Sequence, residues 1–357
     1  MFHSIELLRT KLNLSDSEAL LIEDNLNIRY LTKTTIDTGY LIITHNNAYF
    51  ITDSRYIESA RKYFCESAVN VILQTKLSDN IRAVLDENNI QTLFIEADYQ
   101  KIAKLDFFEK CCADLKYDGT LDKALSSLRV KKSEDEIASI KLAQKITDDA
   151  FEYACSIIKE GLSERELSLE IEFFMRKQGA EGVSFELITI SGKNTSLPHG
   201  IPSDNTIKKG DFVTMDIGCK VNGYCSDMTR TVAVGFATDK MKAVYNTVLL
   251  AQKSAVDAVK SGVSCKEVDT VARDIIYNAG YEGCFGHSTG HGVGLYIHEA
   301  PTVSERSDTL LQSGMVITVE PGIYLEDEFG VRIEDMVVVT EDGCENLTKS
   351  PKELIVL

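Results

Sequence analysis

The sequence contains no pair of cysteines in CxxC spacing, although nine cysteines are scattered along its 357 residues. An odd number of unpaired cysteines argues against a disulfide framework and against a thiolate zinc site. No stretch reaches the roughly 18 continuous apolar residues that a membrane span needs, and the N-terminus lacks the apolar segment of a signal peptide. We therefore expect a soluble, cytoplasmic protein with no membrane partner.

Basic residues are too few for a protein that binds nucleic acid. Lys and Arg number 38 against 55 Asp and Glu, which gives a formal net charge of −17. Binding to a phosphate backbone needs clustered Lys and Arg, so nucleic acid is excluded as a partner. The sequence also lacks a Walker A motif and a GxGxxG fingerprint. Most of the acidic residues are expected to form solvated surface.

The two parts of the chain differ in composition. All five prolines and four of the six histidines lie in the C-terminal half. The first part alternates helical stretches with β-rich runs at 39–44, 48–52 and 92–96, and Asn46-Asn47 is a candidate turn between the first two. Because the chain is longer than one average domain, we predict an α+β protein with an α/β domain over residues 1–128 and a second domain over residues 129–357.

The second domain repeats its own pattern. A capping box at Ser133–Glu136 opens its first helix, and two more occur at Ser163–Glu166 and Ser264–Glu267, each two residues after a glycine. The later two boxes are offset by 101 residues, and the same offset separates the glycines that end the following helices, Gly179 and Gly280. Such ordered self-similarity predicts two similar helix-helix-strand-strand halves, with a site between them.

The strands of the first half carry two aspartates on an apolar background. Asn222-Gly223 is a strong signal for a two-residue hairpin turn. In that register Asp216 lies opposite Thr229, and Asp227 lies two residues from Thr229 on the same face. The two carboxylates would then be diagonal neighbours, roughly 7–8 Å apart at the backbone. They would repel each other unless a cation lay between them.

The second half repeats this chemistry. The apolar strand 315–320 ends in Glu320 and is stopped by a proline. A further strand over 330–340 places Arg332 and Glu334 on one face by period-two alternation. Glycines flank His291 on both sides and would let another group approach it closely.

Four carboxylates and one imidazole thus form a ligand set that is mostly oxygen: Asp216, Asp227, His291, Glu320 and Glu334. Such a set favours Mn²⁺, Co²⁺ or Fe²⁺ and also accepts Zn²⁺. Four negative charges balance two divalent cations, which lie roughly 3.5–4 Å apart in two-metal hydrolases. The alternative is that each acid protects an edge strand and faces water. That alternative is weak for five residues in symmetric places, so we predict a dinuclear metal site.

The order of these residues resembles the pita-bread metallopeptidases of family M24, which include prolidase, aminopeptidase P and methionine aminopeptidase. The resemblance covers the chain from about Ser133 to its end, through Asp216, Asp227, Gly-His291-Gly, Glu320-Pro-Gly and Arg332-Ile-Glu334. Segments 28–32 and 52–56 resemble the creatinase-type domain, which methionine aminopeptidases lack. The resemblance therefore implies a creatinase-like N-terminal domain, a pita-bread domain with internal pseudo-two-fold symmetry, and a homodimer.

The resemblance also implies a role for each site residue. Asp216 would chelate one cation, most readily Mn²⁺, His291 and Glu320 would hold the other, and Asp227 and Glu334 would bridge the two. Glu320 would also take the proton of the attacking water. Three further residues would complete the catalytic group: His199 and His298, in the symmetric segments HGIP and HEAP, and Arg332. Tyr324 would join Arg332.

The activity implied is hydrolysis of the Xaa-Pro bond in small peptides with proline at the second position. Whether dipeptides or longer peptides are preferred stays open at this point. The alternative is a metal-free pita-bread protein, either a creatinase-type C–N hydrolase or a catalytically inactive binding module. Those proteins lose the acidic ligands, whereas this chain keeps all five. His287, four residues before His291, is interpreted as structural.

Overall fold

A computed structural model describes residues 2–112 and 114–357, and the chain divides after Arg129 into two compact units. The first unit contains helices α1 (His3–Leu12), α2 (Asn25–Thr32), α3 (Ile57–Phe64), α4 (Leu77–Glu87), α5 (Ile102–Glu109) and α6 (Thr120–Arg129). Its strands are β1 (Glu18–Ile22), β2 (Tyr40–Thr44), β3 (Ala48–Thr52), β4 (Val69–Leu73), β5 (Thr92–Ile95) and β6 (Asp114–Lys116). Across the described residues of both units, no helix combines the length and apolarity needed to cross a bilayer.

One mixed sheet organises the first unit, in the order β4-β3-β2-β1-β5-β6. Strands β2, β3 and β5 confirm the three predicted β-rich runs, and β2 and β3 pair antiparallel around Asn46-Asn47. Strands β1 and β5 run parallel at the centre of the sheet. Their C-terminal ends therefore place Glu23 and Asp24 beside Glu96.

The carboxyl group of Glu96 is buried at this end of the sheet. It accepts hydrogen bonds from the backbone N–H groups of Glu23 and Asp24, at 2.7 and 2.9 Å, and from the Asn27 side chain at 2.7 Å. Burial raises the pKa of Glu96 to about 7, because the loss of solvent outweighs these hydrogen bonds, and the nearby Asp24 carboxylate adds to the rise.

We expect the first unit to lose stability as the pH rises from about 4.5 to 7. In that window the folded state keeps the Glu96 proton while the unfolded chain releases it, so the folded state binds more protons and stability falls by about 3 kcal/mol. Hydrogen exchange of the β1 and β5 amides at several pH values measures this slope. In Glu96→Gln the slope should flatten. An equal slope in both proteins would contradict the assignment to Glu96.

The second unit contains helices α7 (Glu134–Ile157), α8 (Glu164–Lys177), α9 (Asp239–Ala258) and α10 (Cys265–Asn278). The strands of its first half are β7 (Gly182–Val183), β8 (Ile188–Ser191), β9 (Phe212–Ile217), β10 (Cys219–Val221), β11 (Tyr224–Cys225) and β12 (Met228–Ala233). The strands of its second half are β13 (Gly290–Gly292), β14 (Glu299–Val303), β15 (Val316–Val319), β16 (Gly322–Leu325), β17 (Phe329–Arg332), β18 (Asp335–Val339) and β19 (Cys344–Asn346). A short 3₁₀ helix spans Gly192–Ser196.

The predicted repeat is confirmed in the second unit. All three capping boxes form, with serine accepting from the glutamate backbone and glutamate accepting in return. Gly161 donates to the carbonyl of Ile207 at 2.9 Å, and Gly262 donates equivalently to Leu311 at 2.9 Å. Helices α7 and α8 pack on the strands of the first half, and α9 and α10 pack on those of the second. Each half thus buries its own apolar face.

The Asn222-Gly223 hairpin forms in the predicted register. Both residues have positive φ, Val221 pairs with Tyr224, and Asp216 lies opposite Thr229. On the face that packs against α7 and α8, β9 buries side chains such as Met215, each of which contributes roughly 1.5–3 kcal/mol. This burial holds the register that places Asp216.

The prediction of long continuous strands is wrong at two places. The first hairpin is interrupted at Gly218 and at Ser226-Asp227, where the Ser226 carbonyl comes so close to Gly218 that a Cβ there would lie 2.1 Å from it. The predicted strand 330–340 breaks at Ile333-Glu334, because β17 pairs with β16 whereas β18 pairs with β15. Asp227, Glu320 and Glu334 therefore lie between strands and not within them.

Candidate metal centre

Three predicted ligands meet at these strand breaks. Asp227, His291 and Glu334 each offer a ligand atom, and these atoms lie within 4.8 Å of one another. Asp227 lies between β11 and β12, Glu334 between β17 and β18, and His291 on β13. Interrupted strands let the carboxylates leave the regular alternation and converge. The cluster has the composition and spacing of a site for a divalent cation.

The remaining two predicted ligands adjoin this cluster. Nε2 of His291 is 3.3 Å from Oε1 of Glu320 and 3.6 Å from Oδ2 of Asp227. Nδ1 of His291 lies 3.1 Å from the Gly292 carbonyl, a contact in which Nδ1 carries the proton and Nε2 is left as the ligand atom. Asp216 is held by Arg332, whose Nη2 donates to its Oδ2 at 2.7 Å.

The flanking glycines have the predicted effect on His291. A Cβ at Gly290 would lie 2.0 Å from the Thr318 carbonyl, and a Cβ at Gly292 would lie 2.2 Å from the Ala300 carbonyl. The backbones of β14 and β15 thus approach β13 more closely than any other residue type would allow. The Thr318 hydroxyl accepts from the His291 N–H at 3.1 Å and donates to Glu320 at 3.2 Å.

The electrostatics of the site call for a cation. Burial, and then the neighbouring carboxylates, raise the pKa values of Asp227 and Glu334 well above the usual range. Burial also raises the pKa of Asp216, against the opposing effect of Arg332. Oδ1 of Asp216 is buried and has no hydrogen-bond partner within residues 2–112 and 114–357. A buried oxygen without a hydrogen-bond partner, beside crowded carboxylates and an imidazole nitrogen, fits divalent cations well.

Arg332 connects the ligands to the wall of the site. Its Nε donates at 3.0 Å to the Thr229 hydroxyl, which in turn donates to Glu334 at 2.8 Å. Its Nη1 donates to the Tyr324 hydroxyl at 2.8 Å, and the pKa of Tyr324 is raised to about 12 by burial. Arg332 and Glu334 therefore share one side, as their spacing predicts, and Tyr324 joins Arg332.

His287 contacts this network, and its interpretation as structural stays a prediction. Its Nε2 lies 2.9 Å from the Tyr324 hydroxyl, and its Nδ1 lies 2.8 Å from the Ser288 carbonyl. Its contact with Tyr324 joins residues that are 37 positions apart, so the spacing between His287 and His291 could not predict it. The signal available in the sequence was its place in the glycine-rich segment that leads to His291.

His298 is placed beside the cluster by a buried ion pair. Its ring centroid lies 4.4 Å from that of His291 in an edge-to-face arrangement. Burial, and then His291, lower the pKa of His298. The next residue, Glu299, pairs with Lys132 at 2.7 Å, and their side chains are 5% and 2% exposed. Lys132 is itself held through its N–H, which donates to the Gly314 carbonyl at 2.8 Å.

A second buried ion pair lies behind Glu334. Arg230 donates to Asp335 at 2.8 Å, and both side chains are almost fully buried. Arg230 also donates to the backbone carbonyls of Glu334, Ser350 and Pro351. Asp335 accepts from Lys352 at 2.7 Å as well. This network fixes the backbone on both sides of the strand break that carries Glu334.

One cavity of about 880 Å³ collects all eight predicted site residues. These are His199, Asp216, Asp227, His291, His298, Glu320, Arg332 and Glu334. Apolar side chains, among them Leu169, Phe185 and Ile201, also line the cavity, together with the charged side chains of Arg165, Glu172 and Glu186. The cavity thus combines a strongly acidic cluster with apolar surface, which suits a peptide-sized ligand. The individual roles of the eight residues stay predictions.

Comparison with known proteins agrees with this arrangement. Residues 138–341 match metallopeptidase family M24, and residues 5–129 match the Creatinase/Prolidase N-terminal domain. The chain is 40% identical to the Xaa-Pro dipeptidase of Pyrococcus furiosus, with 95% of each chain covered.

Solved structures are similar over almost the whole chain. The Xaa-Pro dipeptidase from Bacillus anthracis is 43% identical with a TM-score of 0.93, and 99% of each chain is covered. The X-Pro aminopeptidase from Thermotoga maritima is 37% identical with a TM-score of 0.90, with 98% of this chain and all of that chain covered. The fold is therefore the predicted creatinase-like domain followed by a pita-bread domain, and the chain belongs to metallopeptidase family M24.

Proposed function

We propose that this protein hydrolyses the bond between an N-terminal residue and a proline at the second position of a peptide. The observation that carries the proposal is the buried cluster of Asp227, His291 and Glu334 at the floor of a peptide-sized cavity. The names of the similar proteins from Bacillus anthracis, Thermotoga maritima and Pyrococcus furiosus support proline peptides as the substrate class. In this proposal residues 129–357 form the catalytic domain, and residues 1–128 supply no reacting group.

We propose two divalent cations as the cofactor, held by Asp216, Asp227, His291, Glu320 and Glu334. The predominance of oxygen ligands favours Mn²⁺. When bound, such cations polarise a peptide carbonyl and make water more acidic. The alternative of a metal-free protein is not favoured, because the crowded carboxylates and the orphaned Oδ1 of Asp216 would then lack a counter-charge.

The proposed proton acceptor is Glu320. Burial is the largest single influence and would raise the pKa of this carboxyl, but the neighbouring His291, His287 and Arg332 together outweigh burial and lower the pKa. Glu320 is therefore ionised at neutral pH and can hold a proton from water at a carboxylate oxygen. Arg332 keeps Asp216 in place and, through Thr229, orients Glu334.

His298 and His199 are proposed to bind the peptide. The lowered pKa of His298 keeps its imidazole neutral near pH 7, so it can donate a hydrogen bond to a carbonyl oxygen without carrying charge. His199 lines the same cavity from the segment 198–202. Proline offers no N–H and has a fixed φ, so recognition must come from shape and apolar contact, which the side chains of Phe185 and Ile201 can provide.

A panel of Xaa-Pro dipeptides and Xaa-Pro-Yaa tripeptides, assayed with Mn²⁺ or Co²⁺, tests the proposal. We expect cleavage after the first residue only when proline is second, and no cleavage by Asp227→Ala. Equal activity of that variant, or failure to cleave every proline peptide, would overturn the proposal. Sedimentation of the same sample tests the proposed homodimer, and metal analysis with each ion tests the preference for Mn²⁺.

A further inference from the structure

Glu164, at the start of α8, is a buried carboxylate that the proposed reaction does not use. The residue is 1% exposed, and no ion pair to it occurs within the part of the chain that the structure describes. Six donors from four residues surround it instead. Oε1 accepts from the Ser191 N–H and hydroxyl, Asn194 and Asn205 at 2.8–3.1 Å, and Oε2 accepts from the Ser203 N–H and hydroxyl at 3.0 and 2.7 Å.

These donors lie at the two ends of the loop 192–203, which carries His199. Ser191 and Asn194 lie at its start, and Ser203 and Asn205 lie at its end, so the two oxygens of one carboxylate close its base. The tip of the loop is a turn in which Gly200 donates to the Leu197 carbonyl at 3.1 Å. On the cavity side, Arg332 donates to the Pro198 carbonyl at 3.3 Å. We call the six hydrogen bonds to Glu164 the clamp. His199 therefore lies between this clamp, at the base of its loop, and the contact of Pro198 with Arg332.

The other half of the repeat shows that the fold itself does not need this carboxylate. Glu164 donates its N–H to the Asn205 carbonyl at 3.0 Å, and the equivalent residue, Cys265, donates to Thr309 at 2.9 Å. The next residues, Arg165 and Lys266, also make matching backbone hydrogen bonds. The helix thus joins its neighbouring segment in the same way with a thiol at this position. What distinguishes the first half is the loop that the carboxylate binds.

We propose that Glu164 is a positioning residue for His199, which holds the loop 192–203 so that this histidine faces the peptide in the cavity. The inference rests on the proposed function in one respect, namely that His199 contacts the substrate. The clamp needs a charged acceptor, because all six partners are donors. Burial would raise the pKa of Glu164, but the hydrogen bonds from Asn205, Ser203, Ser191 and Asn194 together outweigh burial and lower the pKa, so the carboxylate is ionised at neutral pH.

A double-mutant cycle between Glu164 and His199 tests the proposal. Glu164→Gln replaces one acceptor by an NH₂ group that faces donors, and we expect kcat/KM to fall on the order of tenfold to a hundredfold. In a His199→Ala background the same substitution should cause almost no further loss, since Glu164 acts through His199. Losses that multiply would show a general structural role and would overturn the proposal. Glu166→Gln, two residues further along α8, is the matched control and should be unchanged, because Gln also completes the capping box with Ser163.

Limited trypsin digestion separates this inference from the proposed function. Lys193 is exposed within the loop and provides a cleavage site that needs no substrate or metal. Cleavage after Lys193 should be several-fold faster in Glu164→Gln than in the wild type. Faster cleavage of Glu164→Gln, together with a wild type that cleaves no proline peptide, would contradict the proposed function but support the clamp. Unchanged cleavage would overturn the clamp. Should Glu164→Gln fail to fold, Ser203→Ala and Asn194→Ala serve instead, because each removes donors to Glu164. Both variants should show smaller changes in kcat/KM and in the rate of trypsin cleavage. If neither variant changed either measurement, the clamp would be overturned.

Discussion

Replacing Glu334 by Gln is expected to abolish metal-dependent hydrolysis and, at the same time, to make the metal-free protein more stable. Glu334 is 1% exposed, and burial with the neighbouring Glu320 and Asp216 raises its pKa well above the usual range. The carboxylate therefore destabilises the metal-free protein, but it is needed to bind the cations. Gln keeps the shape and can still accept from Thr229, but it removes the charge. We expect activity to fall on the order of a thousandfold, equivalent to about 4 kcal/mol of transition-state stabilisation.

The stability of the metal-free variant should rise by roughly 1–3 kcal/mol, because a buried like-charge contact is removed. Urea unfolding in the presence of a chelator measures this change, and elemental analysis measures the metal retained. Glu341→Gln is a suitable control, since Glu341 is exposed and lies outside the cavity. A variant that retained full metal content and activity, or that was destabilised without metal, would contradict the assignment of Glu334 as a ligand.

Arg230→Met is expected to produce a large loss of folding stability in the second unit. The substitution removes one partner of a buried ion pair and leaves Asp335 with Lys352 as its remaining cation. It also removes the donor to the carbonyls of Ser350 and Pro351. Breaking such a pair from one side costs roughly 3–5 kcal/mol, because the remaining charge stays buried.

Chemical unfolding followed by near-ultraviolet circular dichroism measures this loss. Arg306→Met provides the control, since the Arg306 side chain is 90% exposed. The loss of stability in Arg230→Lys should be intermediate between those of Arg230→Met and Arg306→Met, because a single ammonium group cannot replace a planar guanidinium group that donates to several acceptors. Metal affinity should fall along with stability, since Arg230 also binds the backbone of Glu334. A loss no greater than that of Arg306→Met would show that the pair contributes little.

Local chemistry made a large part of the site predictable. Asn222-Gly223 determines a two-residue turn, and that turn alone determines which residues face each other, so the pairing of Asp216 with Thr229 followed by counting. The capping boxes and the glycines after them mark helix ends by interactions within a few residues, and their repetition exposed the two halves. A glycine beside His291 reports a close approach without revealing what approaches.

Features that depend on distant partners could not be read in the same way. Alternation of polar and apolar residues predicts a single strand over 330–340, but it does not record that β17 and β18 pair with different partners. Glu164 is hidden in the sequence as an acidic residue in the first turn of a helix, a common and usually exposed position. His287 binds Tyr324, 37 residues away, and no spacing rule connects them. In each case the information lies in tertiary contacts.

The Lys132–Glu299 ion pair bears on how a minimal catalytic fragment should be made. The capping box at Ser133 looks like a natural first residue for such a fragment, and Lys131-Lys132 looks like a dispensable linker. However, Lys131 forms a bridge with Met315, and Lys132 neutralises a carboxylate next to His298. A fragment that begins at Ser133 would contain every proposed ligand and still lack the cation that pairs with Glu299, the residue next to His298. A useful fragment has to begin no later than Val130.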